Sequence, residues 1–90
     1  MKPFVWNEDK NRLLKLERGI SFEQVVAHIA IGGLIDIVEH PHPEKYAGQR
    51  MFVVRVQDYA WLVPFVETED EIFLKTIIPS RKATKRYLKG

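Results

Sequence analysis

Arg81, Lys82, Lys85 and Arg86 follow Ser80 in the run Ile77-Ile78-Pro79-Ser80-Arg81-Lys82-Ala83-Thr84-Lys85-Arg86-Tyr87. Pro79 should break an apolar strand, because it has no N–H for a ladder and pushes the residue before it into extended geometry. Ser80 is suited to cap a short helix through its side-chain oxygen. That helix opens with Arg81 and Lys82, so its first amides, its positive dipole end and a guanidinium converge on one place. Phosphate is held by such a convergence. From Lys75 to Gly90 the chain has six basic residues and no acidic one, whereas Met1 to Leu74 carry eight basic and twelve acidic residues. A formal net charge of +2 therefore hides a basic end on a mildly acidic body. The alternative reading of that charge is a solvated basic terminus.

Ninety residues, 46% of them apolar, suffice for one small domain with a core. The chain has no cysteine. That excludes a disulfide scaffold and a thiolate zinc site or nucleophile, and it fits a reducing cytoplasm. The first residues lack an apolar run of signal-peptide length, and no stretch approaches the ~18 apolar residues of a membrane helix. Neither a cofactor motif nor an internal repeat is present.

The elements that must position the basic end follow in order. Phe4-Val5-Trp6 reads as a short strand. Asn7 caps a helix from about Glu8 to Arg18, with Leu13, Leu14 and Leu16 as its apolar residues and Gly19 as its left-handed stop. Ser21 and Gln24 have capping-box spacing, with Ile20 and Val25 as the hydrophobic staple. In the helix that follows, Phe22, Val25, Val26, Ile29 and Ala30 form one apolar stripe. His28 sits beside it and reads as structural. Gly32-Gly33 stops the helix. Leu34 to Glu39 is a strand, and His40 to Gly48 is a loop enforced by Pro41, Pro43 and Gly48. Arg50 to Val56 is a strand apolar on both faces. Ala60 to Val66 returns after a turn, with Pro64 demanding a bulge or an unpaired edge. Glu67 to Glu71 is an acidic turn, and Ile72 to Ile78 is the last strand. The expected fold is α+β. An antiparallel sheet of four to five strands carries two N-terminal helices and a short C-terminal helix.

Four blocks, Trp6-Asn7-Glu8-Asp9-Lys10-Asn11, Arg18-Gly19-Ile20-Ser21-Phe22-Glu23, Gly48-Gln49-Arg50 and Ile77-Ile78-Pro79-Ser80-Arg81-Lys82-Ala83-Thr84, occur in the order and spacing of BrnT-type toxins. The resemblance covers nearly the whole chain. It implies a RelE-like fold and a metal-independent endoribonuclease of a bacterial type II toxin–antitoxin system, acting in the cytoplasm. Implied partners are a cognate antitoxin protein and RNA, free or on the ribosome, with DNA reached only through the antitoxin and no membrane. No cofactor is implied. Glu17-Arg18 stands where the family has a lysine–histidine pair, and Glu69-Asp70-Glu71 stands where it often has a basic residue.

By this resemblance, Arg50 and Arg81 match the family's most dependable arginines and hold the scissile phosphate, with Arg18 as a further contact. A guanidinium stays protonated, so none of the three is a base. Candidate bases are Glu17, Glu67, His40, His42 and Lys15. The His40/His42 spacing also suits a metal, although two ligands alone do not make a site, and a solvated loop is the alternative. Lys15, Lys75, Lys82, Lys85, Arg86 and Tyr87 are the expected RNA contacts. Tyr46, Tyr59, Trp61 and Tyr87 are the aromatics that could stack bases. Two other functions fit the same residues. One is a catalytically silent toxin-like subunit in an autoregulatory DNA-binding complex with its antitoxin. The other is a small adaptor domain.

Overall fold

Capping chemistry sets the boundaries of all three helices. The computed structural model describes residues 2–42, 44–45 and 48–89. Strand β1 (Phe4–Trp6) leads into helix α1 (Glu8–Arg18), where the Asn7 side chain accepts the Lys10 amide at 2.9 Å. Gly19 ends α1 at φ 66°, a region that favours glycine, and its N–H returns to the Lys15 carbonyl. Helix α2 (Phe22–Ala30) opens with the full Ser21/Gln24 capping box. Strands β2 (Leu34–Glu39), β3 (Arg50–Val56), β4 (Tyr59–Glu67), β5 (Ile72–Leu74) and β6 (Ile78–Pro79) follow, then helix α3 (Arg81–Leu88).

The sheet order is β1-β5-β4-β3-β2, with β6 also paired to β4. The antiparallel expectation is corrected at one edge, because β1 pairs with β5 in parallel and makes the sheet mixed. Short turns dictate an antiparallel sense for consecutive strands, but no local turn links β1 to β5. The expected last strand, Ile72 to Ile78, is also corrected. It is two pieces, β5 and β6, separated by a bulge. Phe65 pairs with Leu74 and Leu62 with Ile78, so three residues face two. Pro64 is the cause. Its carbonyl accepts the Lys75 amide at 2.8 Å, so its missing N–H faces the same edge and cannot hold a continuous ladder.

Both faces of the sheet are packed. Phe52, Val54 and Val56 of β3 meet Leu14, Ile20, Phe22 and Val25 under α1 and α2. Val53 meets Ala83 and Tyr87 of α3 on the opposite face. This explains why β3 is apolar on both sides. The expected helical stripes are narrower than read. Leu16 is 85% exposed and Leu13 44%, while Ala30 also lies at the surface. Of the three expected leucines of α1 only Leu14 is buried, and Asn11 is buried beside it.

Asn11 joins the two N-terminal helices. Its Oδ1 accepts the Phe22 amide at 2.8 Å, and its Nδ2 donates to the Glu23 carboxylate at 2.6 Å. One otherwise orphaned amide of α2 is thereby satisfied inside the protein. The Asn11 hydrogen bond is the main reason the Glu23 carboxyl lies below its ordinary 4.5. Gly33 provides a second close contact. A Cβ there would stand 2.7 Å from the His28 carbonyl oxygen, so a side chain would force the α2–β2 turn apart. No helix among the described residues is long and apolar enough to cross a membrane.

Asn11→Ala should lower the unfolding free energy by about 1–3 kcal/mol, because it strands a buried amide. Urea titration measures this. The contribution of the Glu23 contact is fully present above pH 4.5 and is lost as pH falls through the depressed folded value. Glu23→Gln should therefore flatten the acid limb of the stability curve below pH 4.5.

A candidate nucleic-acid interface at the hairpin turn

Two hydrogen bonds fasten the head of helix α3 to the start of β4, and two more lock its first turn. The Ser80 amide donates to the Ala60 carbonyl at 3.1 Å, and the Ala60 amide donates to Thr84 Oγ1 at 2.8 Å. Thr84 Oγ1 in turn donates to the Ser80 carbonyl at 2.8 Å, while Ser80 Oγ caps the Ala83 amide at 3.0 Å. Thr84 is 4% exposed. Both backbone groups of Ala60 are thus used, and the first turn of α3 can sit in one place only. That place is beside Tyr59.

Tyr59 begins β4 just after the tight turn at Gln57 and Asp58. Gln57 takes φ 58°, and Arg55 braces the turn by donating to the Gln57 carbonyl and to Asp58 Oδ1 at 3.0 and 2.8 Å. Tyr59 meets Trp61 edge-on, with ring centroids 6.0 Å apart. Two recesses share Tyr59 as a wall. One, of about 430 Å³, is lined by Arg18, Gln24, Asp58, Tyr59 and Trp61. The other, of about 400 Å³, is lined by Tyr59, Arg81, Thr84, Lys85 and Lys89. Each is large enough for part of a nucleotide. Arg18 Nη1 donates to the Ile77 carbonyl, which holds this guanidinium from the α1 side against the strand that leads to α3.

Spacing on α3 divides its cations. Arg81, Lys85 and Lys89 repeat every fourth residue and stand on the Tyr59 side. Lys82 and Arg86, with Tyr87, line a groove on the other side, against Val38, Met51, Val53 and Leu62. The Tyr87 hydroxyl donates to Asp36 Oδ2 at 2.8 Å, which pushes its own pKa up and lowers that of Asp36. Tyr87 therefore anchors α3 to β2.

The expected site residues do not form one cluster. Arg18, Arg81 and Lys85 gather around Tyr59. Arg50 begins β3, six residues before the turn, which is about 20 Å of strand. It donates to Glu67 at 3.0 Å and lies 5.2 Å from the Phe65 ring centroid. Lys2 binds the other Glu67 oxygen at 2.7 Å, and this hydrogen bond is the main reason the Glu67 carboxyl is lowered. A carboxylate held that way is a poor base. Lys15 lies one turn before Arg18, and its charge acts on Glu23. Lys75 sits at the exposed bulge between β5 and β6.

His40 and His42 lie on the β2–β3 loop, at the Arg50 end, with the His40 amide bonded to the Gln49 carbonyl. Among the described residues no group of three His, Asp or Glu is placed to hold a metal. Glu17 is exposed on α1, and Tyr46 lies outside the described residues. Reading the sequence missed Asp58, Lys89 and the tie made by Thr84. The fourfold spacing of Arg81, Lys85 and Lys89 was the available signal for Lys89. Comparison of the chain with protein-family models, curated proteins and solved structures finds no match.

Thr84→Val keeps the shape of the side chain but removes its hydrogen bonds to Ala60 and Ser80. It should cost about 1–3 kcal/mol in chemical denaturation, because the Ala60 amide is left unpaired beneath α3.

Proposed function

We propose that this chain is a BrnT-like toxin subunit of RelE-like fold that binds single-stranded RNA across Tyr59 and cuts it without a metal. The supporting observation is the placement of one aromatic ring between Arg18 and the Arg81–Lys85–Lys89 row. An aromatic face accepts any base, and cations on both sides suit successive phosphates. Trp61 extends the stacking surface.

Cleavage by the RNA's own 2′-hydroxyl requires a base, a steadied phosphorane and an acid. In this reading Arg81 and Arg18 steady the phosphate. Asp58, the carboxylate lining this rim, takes the 2′-hydroxyl proton. The Lys85 ammonium returns a proton to the departing 5′-oxygen, and the products are a 2′,3′-cyclic phosphate and a 5′-hydroxyl. Arg50, with Glu67 and Lys2, becomes a structural ion cluster. A cognate antitoxin would cover the rim and supply any contact with DNA, and the setting would be the cytoplasm.

Two observations favour a second reading, in which the subunit binds RNA or its antitoxin without turnover. Glu67, His40 and His42 all lie toward the Arg50 end of the sheet, away from Tyr59. The exposed Asp58 carboxylate is already bonded to Arg55.

RNA affinity should fall with salt, with a log–log slope of about −0.7 per neutralised phosphate. Arg81→Ala and Lys85→Ala should each reduce that slope by about 0.7, and Arg50→Ala should leave it unchanged. End-labelled RNA incubated with the purified chain in EDTA tests the chemistry. Cleavage that survives EDTA, persists in Arg50→Ala and is lost in Asp58→Asn with binding intact supports the nuclease reading. A folded wild type that binds RNA but leaves it whole, alone and with translating ribosomes, supports the second.

A further inference from the structure

Helix α3 covers only part of its face of the sheet. Strand alternation puts Val5, Met51, Leu62, Pro64, Val66, Phe73 and Ile78 on that face. Val66 and Ile78 are each 37% exposed, and Val5, Leu62 and Phe73 are half-buried. The strip crosses β3, β4, β5 and β1, away from the two helices on the opposite face. From Leu62, beside α3, to Glu67 it runs about 17 Å along β4.

Its two ends carry opposite charge. At one end Lys82 and Arg86 flank the groove between α3 and the sheet, with Glu39 at the far side of that groove. At the other end is the turn with Glu69, Asp70 and Glu71, the first two exposed and the third half-buried. Among the described residues, no ion pair joins these three acids or these two bases to anything. The middle is apolar apart from Lys75 at the β5–β6 bulge, and a basic end opposite an acidic end makes the surface complementary to itself after a half-turn.

We infer that this open face is a homodimer interface, in which a second copy lays the same strip across it in the opposite direction. The layers fit. Two sheets pack about 10 Å apart, and a helix with its side chains is about as thick. Helix α3 of one copy therefore lies in the plane of the other copy's sheet, with its Lys82–Arg86 flank beside that copy's β4–β5 turn. Lys82 and Arg86 of each copy then meet Glu69, Asp70 and Glu71 of the other. Met51 and Pro64 are buried and only Val66 and Ile78 are well exposed, so the strip falls short of the ~800 Å² per partner of a standard interface. The dimer is consequently weak, reversible and salt-sensitive. The Arg81–Lys85–Lys89 side of α3 stays open, so this inference does not depend on the RNA reading.

Sedimentation equilibrium of the wild-type chain over a wide concentration range tests it. A monomer–dimer equilibrium is expected, weakened by salt. Val66→Glu should weaken it at least ~10-fold, since it buries an unpaired charge. Ile78→Glu serves as a second variant on the same face if Val66→Glu fails to fold by circular dichroism. Leu16→Glu, on the exposed side of α1, should leave the equilibrium unchanged. Lys82→Glu with Arg86→Glu should dissociate the dimer, and adding Glu69→Lys with Glu71→Lys should restore it. A wild type that stays monomeric at every concentration overturns the inference and leaves the face to a different protein. So does a dimer that Leu16→Glu breaks and Val66→Glu and Ile78→Glu do not, or a charge reversal that fails to restore it.

Discussion

The buried Thr84 hydroxyl, held between the Ala60 amide and the Ser80 carbonyl, fixes how the rest of the surface is used. The first residues of β4 have β3 on one side but no β5 on the other, so their outward backbone groups need partners. Here the first turn of α3 provides them. The consequence is geometric. With Thr84 pointing down onto β4, the ~100° step per residue turns Arg81 and Lys85 to one flank and carries Lys82 and Arg86 round to the far side of the helix. Arg81, Lys85 and Lys89 go to the Tyr59 flank, and Lys82 and Arg86 go to the open sheet face. One hydroxyl thus separates a basic run into two surfaces with different neighbours.

The same logic explains why Arg50 stands apart. Register places it opposite Phe65, at the end of the β3–β4 pair furthest from the turn. There it shares Glu67 with Lys2 in a cluster that closes the sheet's far end. These pairs are largely exposed, so they contribute little stability each. Their more useful effect is to neutralise Arg50 and hold Glu67 as a carboxylate. The Arg18, Arg81, Lys85 and Lys89 group, by contrast, has no carboxylate paired with it among the described residues. A cationic surface with no carboxylate paired to it is suited to an anionic ligand.

Much of this was legible in the sequence where the signal was local. Asn7, Ser21 with Gln24, Gly19 and Ser80 each mark a helix boundary within four residues of its cause. Pro64 announced the broken edge that separates β5 from β6. The two-faced apolar pattern of β3 implied cover on both sides, although it did not say that α3 provides it. What could not be read depends on contacts distant in sequence. The parallel pairing of β1 with β5 joins residues 68 positions apart in the chain. The Asn11 link to Phe22 and Glu23, and the Thr84 link to Ala60, are polar contacts between elements, and no local period encodes them. Similarity of residue type grouped Arg50 with Arg81, but strand register decided that they are far apart.

Ultraviolet cross-linking of a short single-stranded RNA to the wild-type chain, followed by peptide mapping, tests the central claim directly. Cross-links at Tyr59 and Trp61 are the predicted result, since Tyr59 stands between the two cationic recesses and Trp61 lines one of them. Cross-links confined to Tyr87 or to the His40–Arg50 end of the sheet would contradict the account.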